Sequence, residues 1–510
     1  MSIFKSLQQK KQIGNKRKKA KPKPDKRLGE RLDRELPYVI TLITIMAASG
    51  VSPFGSFTKL ARYKLLPYIM KEARNIVGQV HILGEDPLSA LEKRAEVSGS
   101  KQYRDLLLGY VSTVRNGGDI ASFLQSKMKS IFEFEVAIGR QSVAKIGGLV
   151  DAYMIMQVIG LSLYVVVVAM SSSATTSMMP ASMSSPIFSY LIVFVLLPVI
   201  SFLILFILDK TVSSSLVGAR DVLLKGIYLS LGTLVLFVVL TASGALQQVV
   251  DPVYAFPMMV IAASAWPAFK SMKSEKNMKG MEGDLPSYLR DVAESRKAGL
   301  SPEKCIIYAS ERIRDPTFSK VVKAFSNQLE WGVPLRKIYE NLSQTVKSFS
   351  ALIHFRILIE AIESGGGYTA SLEILAQSSE SSYNTEMEKK SMLRPYFFIA
   401  FMVTVLSAFT TLMVAQTFSG ISENLQTDVP GGAPSPKPAS EEGLSQTKLF
   451  AIGISGQAWM TGFLIGKIST GTFATGFKYA IILLVITVLA IVVTQELHLS
   501  PTSLLGSPQA

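Results

Sequence analysis

The sequence predicts an all-α, polytopic membrane protein with about seven spans and two duplicated cytoplasmic helical-bundle domains. The composition supports this class: the 510 residues are 48% hydrophobic and only 18% charged, with a mean hydropathy of +0.32. Such a chain is too apolar for a large soluble protein. Seven apolar runs have about the 20-residue length that crosses a bilayer, and two long charged stretches carry helical periodicity.

The apolar runs divide the chain into alternating membrane and charged segments. We expect four transmembrane helices in 147–269 and three in 395–494, with cytoplasmic helical domains at 35–146 and 270–394. The individual runs are 147–170, 188–208, 226–246, 252–269, 396–418, 449–468 and 475–494. The remaining segments are a basic disordered tail at 1–34, a Pro/Ser-rich outer loop at 419–447 and an outer tail at 495–510.

The distribution of positive charge predicts the orientation. The formal net charge is +15, and residues 1–34 carry thirteen Lys and Arg against three acids. If this tail and both charged domains face the cytoplasm, 51 of the 53 Lys and Arg lie on that side, leaving only Lys437 and Lys448 outside. This predicts a multi-pass protein of the cytoplasmic membrane with its C-terminus outside. A basic tail suits nucleic acid or anionic lipid, and the spans that follow favour lipid and no nucleic acid.

The apolar run 36–51 behind the basic tail has two further interpretations, a signal-peptide core or an eighth span. Its sixteen residues are short for a span. Crossing there would also place the basic stretch that follows outside the membrane. We therefore expect a buried helix in the first domain, packed against the membrane or against the second domain.

Turn residues recur between the two charged stretches at an offset close to 249, which predicts that one domain was duplicated. The acid-Leu-Pro segments at Pro37 and Pro286 predict helix starts, with the acid as cap. Glycines that end a helix and prolines that start the next predict helical hairpins. The turn positions are Gly50, Pro53, Gly84, Gly117, Gly118, Gly299, Pro302, Gly332, Gly365, Gly366 and Gly367. Taken singly, each is also explained as ordinary helix punctuation.

This pattern resembles the type II secretion system F family, the membrane platforms of type IV pilus-like machines. It is most similar to the archaeal archaellum and pilus branch of FlaJ, ArlJ and TadC type. The matching residues are Gly332-Val333-Pro334-Leu335, its copy at 84–91, and 360–366 as an acidic turn before Ser371-Leu372; the first copy has Arg115-Asn116-Gly117-Gly118 instead. The resemblance implies a non-enzymatic platform that contacts a cytoplasmic assembly ATPase and prepilin-like or archaellin-like filament subunits.

Residues typical of catalysis are sparse. No segment has the Gly-x-x-x-x-Gly-Lys-Ser/Thr spacing of a phosphate-binding loop. The three histidines are scattered and Cys305 is the single cysteine, so we assign no catalytic, metal or cofactor site and predict that the chain is not an enzyme. A permease is the alternative, but the charged residues within the predicted spans, Asp151, Lys467 and Lys478, all lie near the cytoplasmic ends.

Two sets of residues are candidates for contacts. Gly462 and Gly466 have a spacing that permits close helix packing, either within the chain or across a possible homodimer. Charged positions of the second domain are candidates for the ATPase contact, since charged surfaces steer association. They are Arg290, Arg296, Lys297, Arg312, Arg336 and Lys337.

Overall fold

The computed structural model describes residues 26–172, 191–211, 219–244, 251–365, 367–427 and 439–496. Within these ranges the chain forms sixteen α-helices and no strand, so the all-α fold class is confirmed. The first helices are α1 Lys26–Ala48, α2 Pro53–Leu60, α3 Pro67–Leu83, α4 Pro87–Val97, α5 Lys101–Arg115 and α6 Ile120–Ser172. A π-helical turn, Ile192–Leu196, leads into α7 Leu197–Thr211, followed by α8 Ala219–Ala242, α9 Pro252–Lys297 and α10 Pro302–Glu311. The last are α11 Pro316–Glu330, α12 Leu335–Thr345, α13 Phe349–Gly365, α14 Thr369–Thr427, α15 Ala439–Thr470, a 3-10 turn Phe473–Thr475 and α16 Gly476–Glu496.

The chain forms two compact units. Unit one comprises Met1–Ile138, Gly280–Val346 and Ser350–Thr385, and unit two comprises Gly139–Lys279, Lys347–Phe349 and Glu386–Ala510. Four helices, α6, α9, α13 and α14, contain residues of both units, and α13 does so only through Phe349.

Unit one contains two series of helices. The first series is α1 to α5 with the start of α6, and the second is the end of α9, α10 to α13 and the start of α14. Corresponding helices of the two series start at corresponding prolines. Pro53 and Pro302 begin α2 and α10, and Pro67 and Pro316 begin α3 and α11, in each case 249 residues apart. The hydroxyls of Ser52 and Ser301 accept hydrogen bonds from backbone N–H groups in the first turns of α2 and α10. The predicted helix starts at these serine-proline pairs therefore agree with the structure.

Six of the predicted turn glycines have the left-handed backbone that favours glycine, whereas Gly118 and Gly365 do not, and Gly365 is the last residue of α13. Positive φ angles occur at Gly50 (79°) and Gly299 (88°), and at Gly84 (67°) and Gly332 (73°). They recur at Gly117 and Gly367, both at 66°. Gly366, named with them, lies outside the described residues.

The predicted helix starts at Pro37 and Pro286 are wrong, because both prolines lie inside long helices, α1 and α9. The acids before them do cap helices, but neighbouring ones. Glu35 accepts hydrogen bonds from the N–H groups of Tyr68 (3.3 Å) and Ile69 (2.7 Å) at the start of α3. In the second series, Asp284 accepts from the N–H of Asp315 (2.8 Å), just before α11. Packing on both sides of each proline continues the helix where local propensity would end it.

Removing either cap is expected to destabilise unit one. Glu35→Ala leaves two N–H groups of α3 without their acceptor, and Asp284→Ala leaves the N–H of Asp315, just before α11, without its acceptor. A lost cap costs about 1 kcal/mol, so each variant should unfold at a lower temperature when circular dichroism at 222 nm is followed. Glu311→Ala, which removes an exposed acid with no hydrogen bond or ion pair in the described structure, is the matched control. Wild-type stability in Glu35→Ala and Asp284→Ala would contradict the capping role.

Unit two contains most of the apolar sequence. Among the described residues, six helices are long and apolar enough to cross a membrane, with segments in α6, α7, α8, α9, α14 and α16. The seventh expected span, 449–468, is helical as part of α15 but is not among these six. It carries polar residues such as Gln457 and Lys467, and many of its apolar side chains are buried among other helices. The prediction of a seventh span there remains a prediction.

α15 packs closely against α16 at two of its glycines. A Cβ added to Gly462 would clash with the backbone of Ala480, and one added to Gly466 would clash with the backbone of Gly476. These glycines therefore permit contact between two helices of the same chain. Of the two predicted roles, close packing within the chain therefore agrees with the structure. Because α16 covers both glycines, neither is available for contact with a second copy.

Candidate functional site

The apolar run 36–51 forms the centre of unit one. Leu36, Ile40 and Ile45 on α1 are almost fully buried. α1 also bonds to the second series: the Thr41 hydroxyl lies 2.7 Å from that of Ser378, and Ser371 donates to the Ile45 carbonyl (3.2 Å). The run is apolar because it is an interior helix shared by both series. α1 is not among the helices that could cross a membrane.

A buried charged cluster joins the two series beside α1. Its centre is Glu360 on α13, which is only 2% exposed. One carboxylate oxygen lies 2.7 Å from the Lys59 ammonium of α2, and the other accepts a hydrogen bond from the Tyr63 hydroxyl (3.2 Å). Lys59 also donates to the Ser364 hydroxyl. Buried charges are stable only when they are paired and hydrogen-bonded, and Glu360 satisfies both conditions with partners from the first series.

A second cation completes this cluster. Arg356 lies one turn before Glu360 on α13 and approaches its carboxylate to 3.5 Å. Its guanidinium also lies over the rings of Tyr63 (5.0 Å) and Tyr339 (5.3 Å). Burial, reinforced by the nearby Glu360 carboxylate, raises the pKa of Tyr63 well above its usual value, and burial raises the pKa of Tyr339 to about 12. Both tyrosines are therefore neutral near pH 7, and the cluster holds one anion and two cations.

The other acid of the same segment, Glu363, has a different role. It forms an ion pair of 3.0 Å with Arg336, which follows the Gly-Val-Pro-Leu motif on α12. In the first series the corresponding helices α4 and α5 are joined with opposite polarity, by Glu92 and Arg115 at 2.8 Å. The missing acid before Gly117 is thus replaced by a base with an acidic partner, and both series keep an ion pair between these helices.

Most of the predicted ATPase-contact residues form contacts within unit one. Arg290 pairs with Glu380 and Lys297 with Glu373, which joins the end of α9 to the start of α14. The others form contacts as follows: Arg296 donates to the carbonyls of Gly367 and Leu300, Arg312 lies 3.6 Å from Asp291, and Arg336 pairs with Glu363. Lys337 is exposed and forms no ion pair with the residues that the structure describes. A role for any of these residues in ATPase binding remains a prediction.

His354, on α13, is a fully buried histidine of unit one. Its Nδ1 lies 2.7 Å from the Ser350 carbonyl, which fixes the proton on that nitrogen, and its Nε2 has no hydrogen-bond partner in the described structure. The ring meets Tyr38 of α1 edge to face at 5.8 Å. Burial lowers the pKa of His354 to about 4, because a charged imidazole would lose its hydration there.

This pKa predicts loss of stability in acid. The unfolded state takes up a proton near the ordinary pKa of 6.5, whereas the folded state resists protonation until about pH 4. Stability from neutral His354 is therefore present above pH 6.5 and is lost as the pH falls towards 4. Thermal unfolding followed by circular dichroism should show a steeper fall over this window in wild type than in His354→Gln. Equal pH dependence would exclude His354 as its source.

Unit two contains a buried polar network of its own. The Tyr153 hydroxyl lies 2.7 Å from that of Thr461 and accepts from Gln157 and Gln457, and Gln457 also donates to Ser201 (2.8 Å). Near the end of the same helices, buried Lys467 pairs with Asp209 at 2.8 Å. Such polar groups are costly in hydrocarbon, and here they link α6, α7 and α15. In the described part of the chain, no three His, Cys, Asp or Glu side chains are placed to hold a metal ion.

Sequence reasoning missed the central contacts of this region. Glu360 was noticed only as part of a turn motif, and Lys59, Arg356 and Tyr63 were not singled out. The one available signal was an acid within an otherwise apolar helix, Leu358 to Ile362, since such an acid requires a partner.

Comparison with known proteins supports part of the resemblance. Residues 288–415 match the family model of protein F of the type II secretion system, and this match runs from the end of α9 into α14. An uncharacterized protein of Methanocaldococcus jannaschii is 21% identical over 400 residues, covering 72% of this chain. The match spans 65% of that relative, slightly under two thirds of its length. No solved structure matches the chain.

Proposed function

We propose that this chain is a non-enzymatic membrane platform for an archaellum or a type IV pilus-like filament. The observation that carries the proposal is the protein F domain at 288–415, which includes the Glu360 segment and continues along α14 into a helix apolar enough to span a membrane. An export platform of type II secretion is the second candidate, since the family is described by that system.

We also infer that the platform arose by duplication of one helical domain. Support comes from the common helix order, the prolines that start corresponding helices 249 residues apart, and the left-handed glycines at corresponding turns. The family model covers the second series alone. The first series differs in that its opening helix is apolar and serves as the interior of unit one.

In this proposal a cytoplasmic ATPase binds unit one and drives the extrusion of filament subunits. Exposed cations without an ion pair in the described structure support a contact on the second series: Arg314, Lys320, Lys323 and Lys337. Trp331, 81% exposed at the end of α11, supplies an apolar anchor beside them. The predicted cations that already pair with acids contribute to the same surface, because their side chains remain more than half exposed.

Deletion of the gene tests the platform role. Cells without the chain should lack filaments, and the wild-type gene should restore them. Full-length protein in detergent should bind the ATPase encoded nearby, and the reversal K320E/K323E/K337E should weaken binding at least ten-fold through lost electrostatic steering. The reversal K64E/K71E/K101E, which changes the charge by the same amount on the first series, is the matched control. Normal filaments in the deletion strain would refute the platform proposal, whereas normal ATPase binding by the triple variant would refute only the surface.

A further inference from the structure

Six lysines of unit two lie within five residues, along the chain, of a packed aromatic cluster. Apolar side chains from five segments meet there: Leu205, Leu223, Ala268, Phe463 and Phe477. This cluster brings together the second half of α7, the start of α8, the middle of α9, the last turns of α15 and the start of α16. The lysines are Lys210, Lys225, Lys270, Lys273, Lys467 and Lys478.

Nearby acids neutralise only some of these lysines. Asp209 pairs with the buried Lys467 (2.8 Å), and Glu275 binds Lys279 (2.5 Å) and Lys478 (3.8 Å). Asp221 lies one turn before Lys225, and no ion pair joins them. Lys225, Lys270 and Lys273 are exposed and form no ion pair with any described residue. These lysines therefore keep an excess of positive charge.

α8 and α9 approach each other closely where these three lysines lie. Gly226 lies against both α16 and α9, because a Cβ added there would clash with Cζ of Phe477 and would lie 3.1 Å from the Cβ of Pro267. Lys225 precedes Gly226, and Lys270 follows Pro267 on the same face of α9. Lys273 lies one turn further along that face.

Exposed aromatic rings lie directly beside the lysines. On α9 the residues Trp266, Phe269, Lys270 and Lys273 have the spacing of a single helix face. Trp266 is 49% exposed and Phe269 is 73% exposed, and the Lys270 ammonium lies over the Trp266 ring at 5.1 Å. On α8, Tyr228 lies one turn after Lys225 and is 74% exposed. Each helix thus changes from apolar to cationic over one turn, as at a membrane interface.

We propose that Lys225, Lys270 and Lys273 bind the phosphate headgroup of an anionic phospholipid, whose acyl chains lie on Tyr228, Trp266 and Phe269. A phospholipid has an anionic headgroup followed by apolar chains, and this surface has cations followed by exposed rings. The headgroup can therefore contact the lysines while the chains contact the rings. A second copy of this chain fits less well, because it would bring the same lysines against each other. This inference rests on the proposed function. The bound lipid would fix the depth in the bilayer of the start of α8 and of the middle of α9.

Native mass spectrometry of the full chain in detergent tests the site, with phosphatidylglycerol and phosphatidylcholine of the same acyl chains as probes. Wild type should retain phosphatidylglycerol preferentially, and less so as salt increases. Each lysine near an anionic surface contributes about a five-fold factor. K225Q/K270Q/K273Q should therefore bind phosphatidylglycerol about a hundred-fold more weakly, and K225R/K270R/K273R should bind it as wild type does.

The variant K304Q/K320Q/K323Q, which removes the same charge from exposed positions of unit one, is the matched control and should bind lipid normally. Equal binding of both lipids, salt-independent binding, or the same loss in the control would overturn the proposal. Displacement of the lipid by millimolar inorganic phosphate would assign the site to a free anion instead. Dimerisation that the triple variant abolishes would assign the surface to a second copy. If K225Q/K270Q/K273Q fails to fold, the proposal is tested by wild type and the arginine variant alone. Both should then prefer phosphatidylglycerol and should bind it more weakly as salt increases.

Discussion

Replacing Glu360 with glutamine should lower the stability of unit one more than the loss of a helix cap or of an exposed ion pair would. The variant leaves the Lys59 ammonium and the Arg356 guanidinium facing each other without the carboxylate that both contact. Breaking a buried ion pair costs about 3–5 kcal/mol. Because Lys59 and Arg356 keep 34% and 21% side-chain exposure, we expect the lower end, about 3 kcal/mol.

Cys305 provides a direct measurement of this effect. It is the only cysteine in the chain and is fully buried in unit one, so a thiol-reactive dye reports its exposure on heating. For a domain of this size, about 3 kcal/mol corresponds to a fall of roughly 6–12 °C in the midpoint. Glu363→Gln, which removes only the exposed pair with Arg336, is the matched control and should shift the midpoint by less than half as much. Equal midpoints for the two variants would show that the cluster does not stabilise unit one.

The second large effect is expected from Gly466→Ala in α15. The added methyl group would meet the backbone of Gly476 and Thr475, which cannot rotate away as a side chain can. Overpacking costs about 1–3 kcal/mol, and we expect the upper end because the obstacle is backbone. The double variant G462A/G466A should be additive or worse, since both glycines face the same helix.

Gly456→Ala is the control, and its expected change in stability has the opposite sign to that of Gly466→Ala. No atom lies within 4 Å of a Cβ at that position of α15. Alanine favours helix over glycine by about 1 kcal/mol, so this variant should match or exceed wild-type stability. Both are measured by thermal unfolding of the full chain in detergent, followed at 222 nm. Similar midpoints for Gly466→Ala and Gly456→Ala would show that the α15–α16 contact tolerates a methyl group.

Local signals predicted the helices, whereas contacts between distant segments escaped prediction. Serine-proline pairs and glycines specify where helices start and end from a few neighbouring residues, and they agree with the structure at Pro53 and Pro302. Pro37 shows the limit of this reasoning: alone it indicates a helix start, yet packing around α1 carries the helix past it. The spacing of Gly462 and Gly466 predicted close packing, but the partner helix was visible only in the structure.

The candidate site depended most on long-range information. Tyr63 and Glu360 are 297 residues apart, and no periodicity relates them. A cation on a predicted helix is as consistent with an internal ion pair as with a free surface. Arg290, predicted to contact a partner, pairs instead with Glu380 of the same chain. Glu360 was the more informative residue, because an acid among apolar neighbours requires a partner.

The shared helix α1 has a consequence for biosynthesis. Thr41 contacts Ser378, 337 residues later, so α1 meets its neighbours in the second series only after that part of the chain has been synthesised. At about 5–20 residues per second, that synthesis lasts roughly 15–70 s. During this time the apolar surface of α1 lacks its contacts with the second series, while several hydrophobic segments enter the membrane. Slower translation would prolong the exposure of this surface.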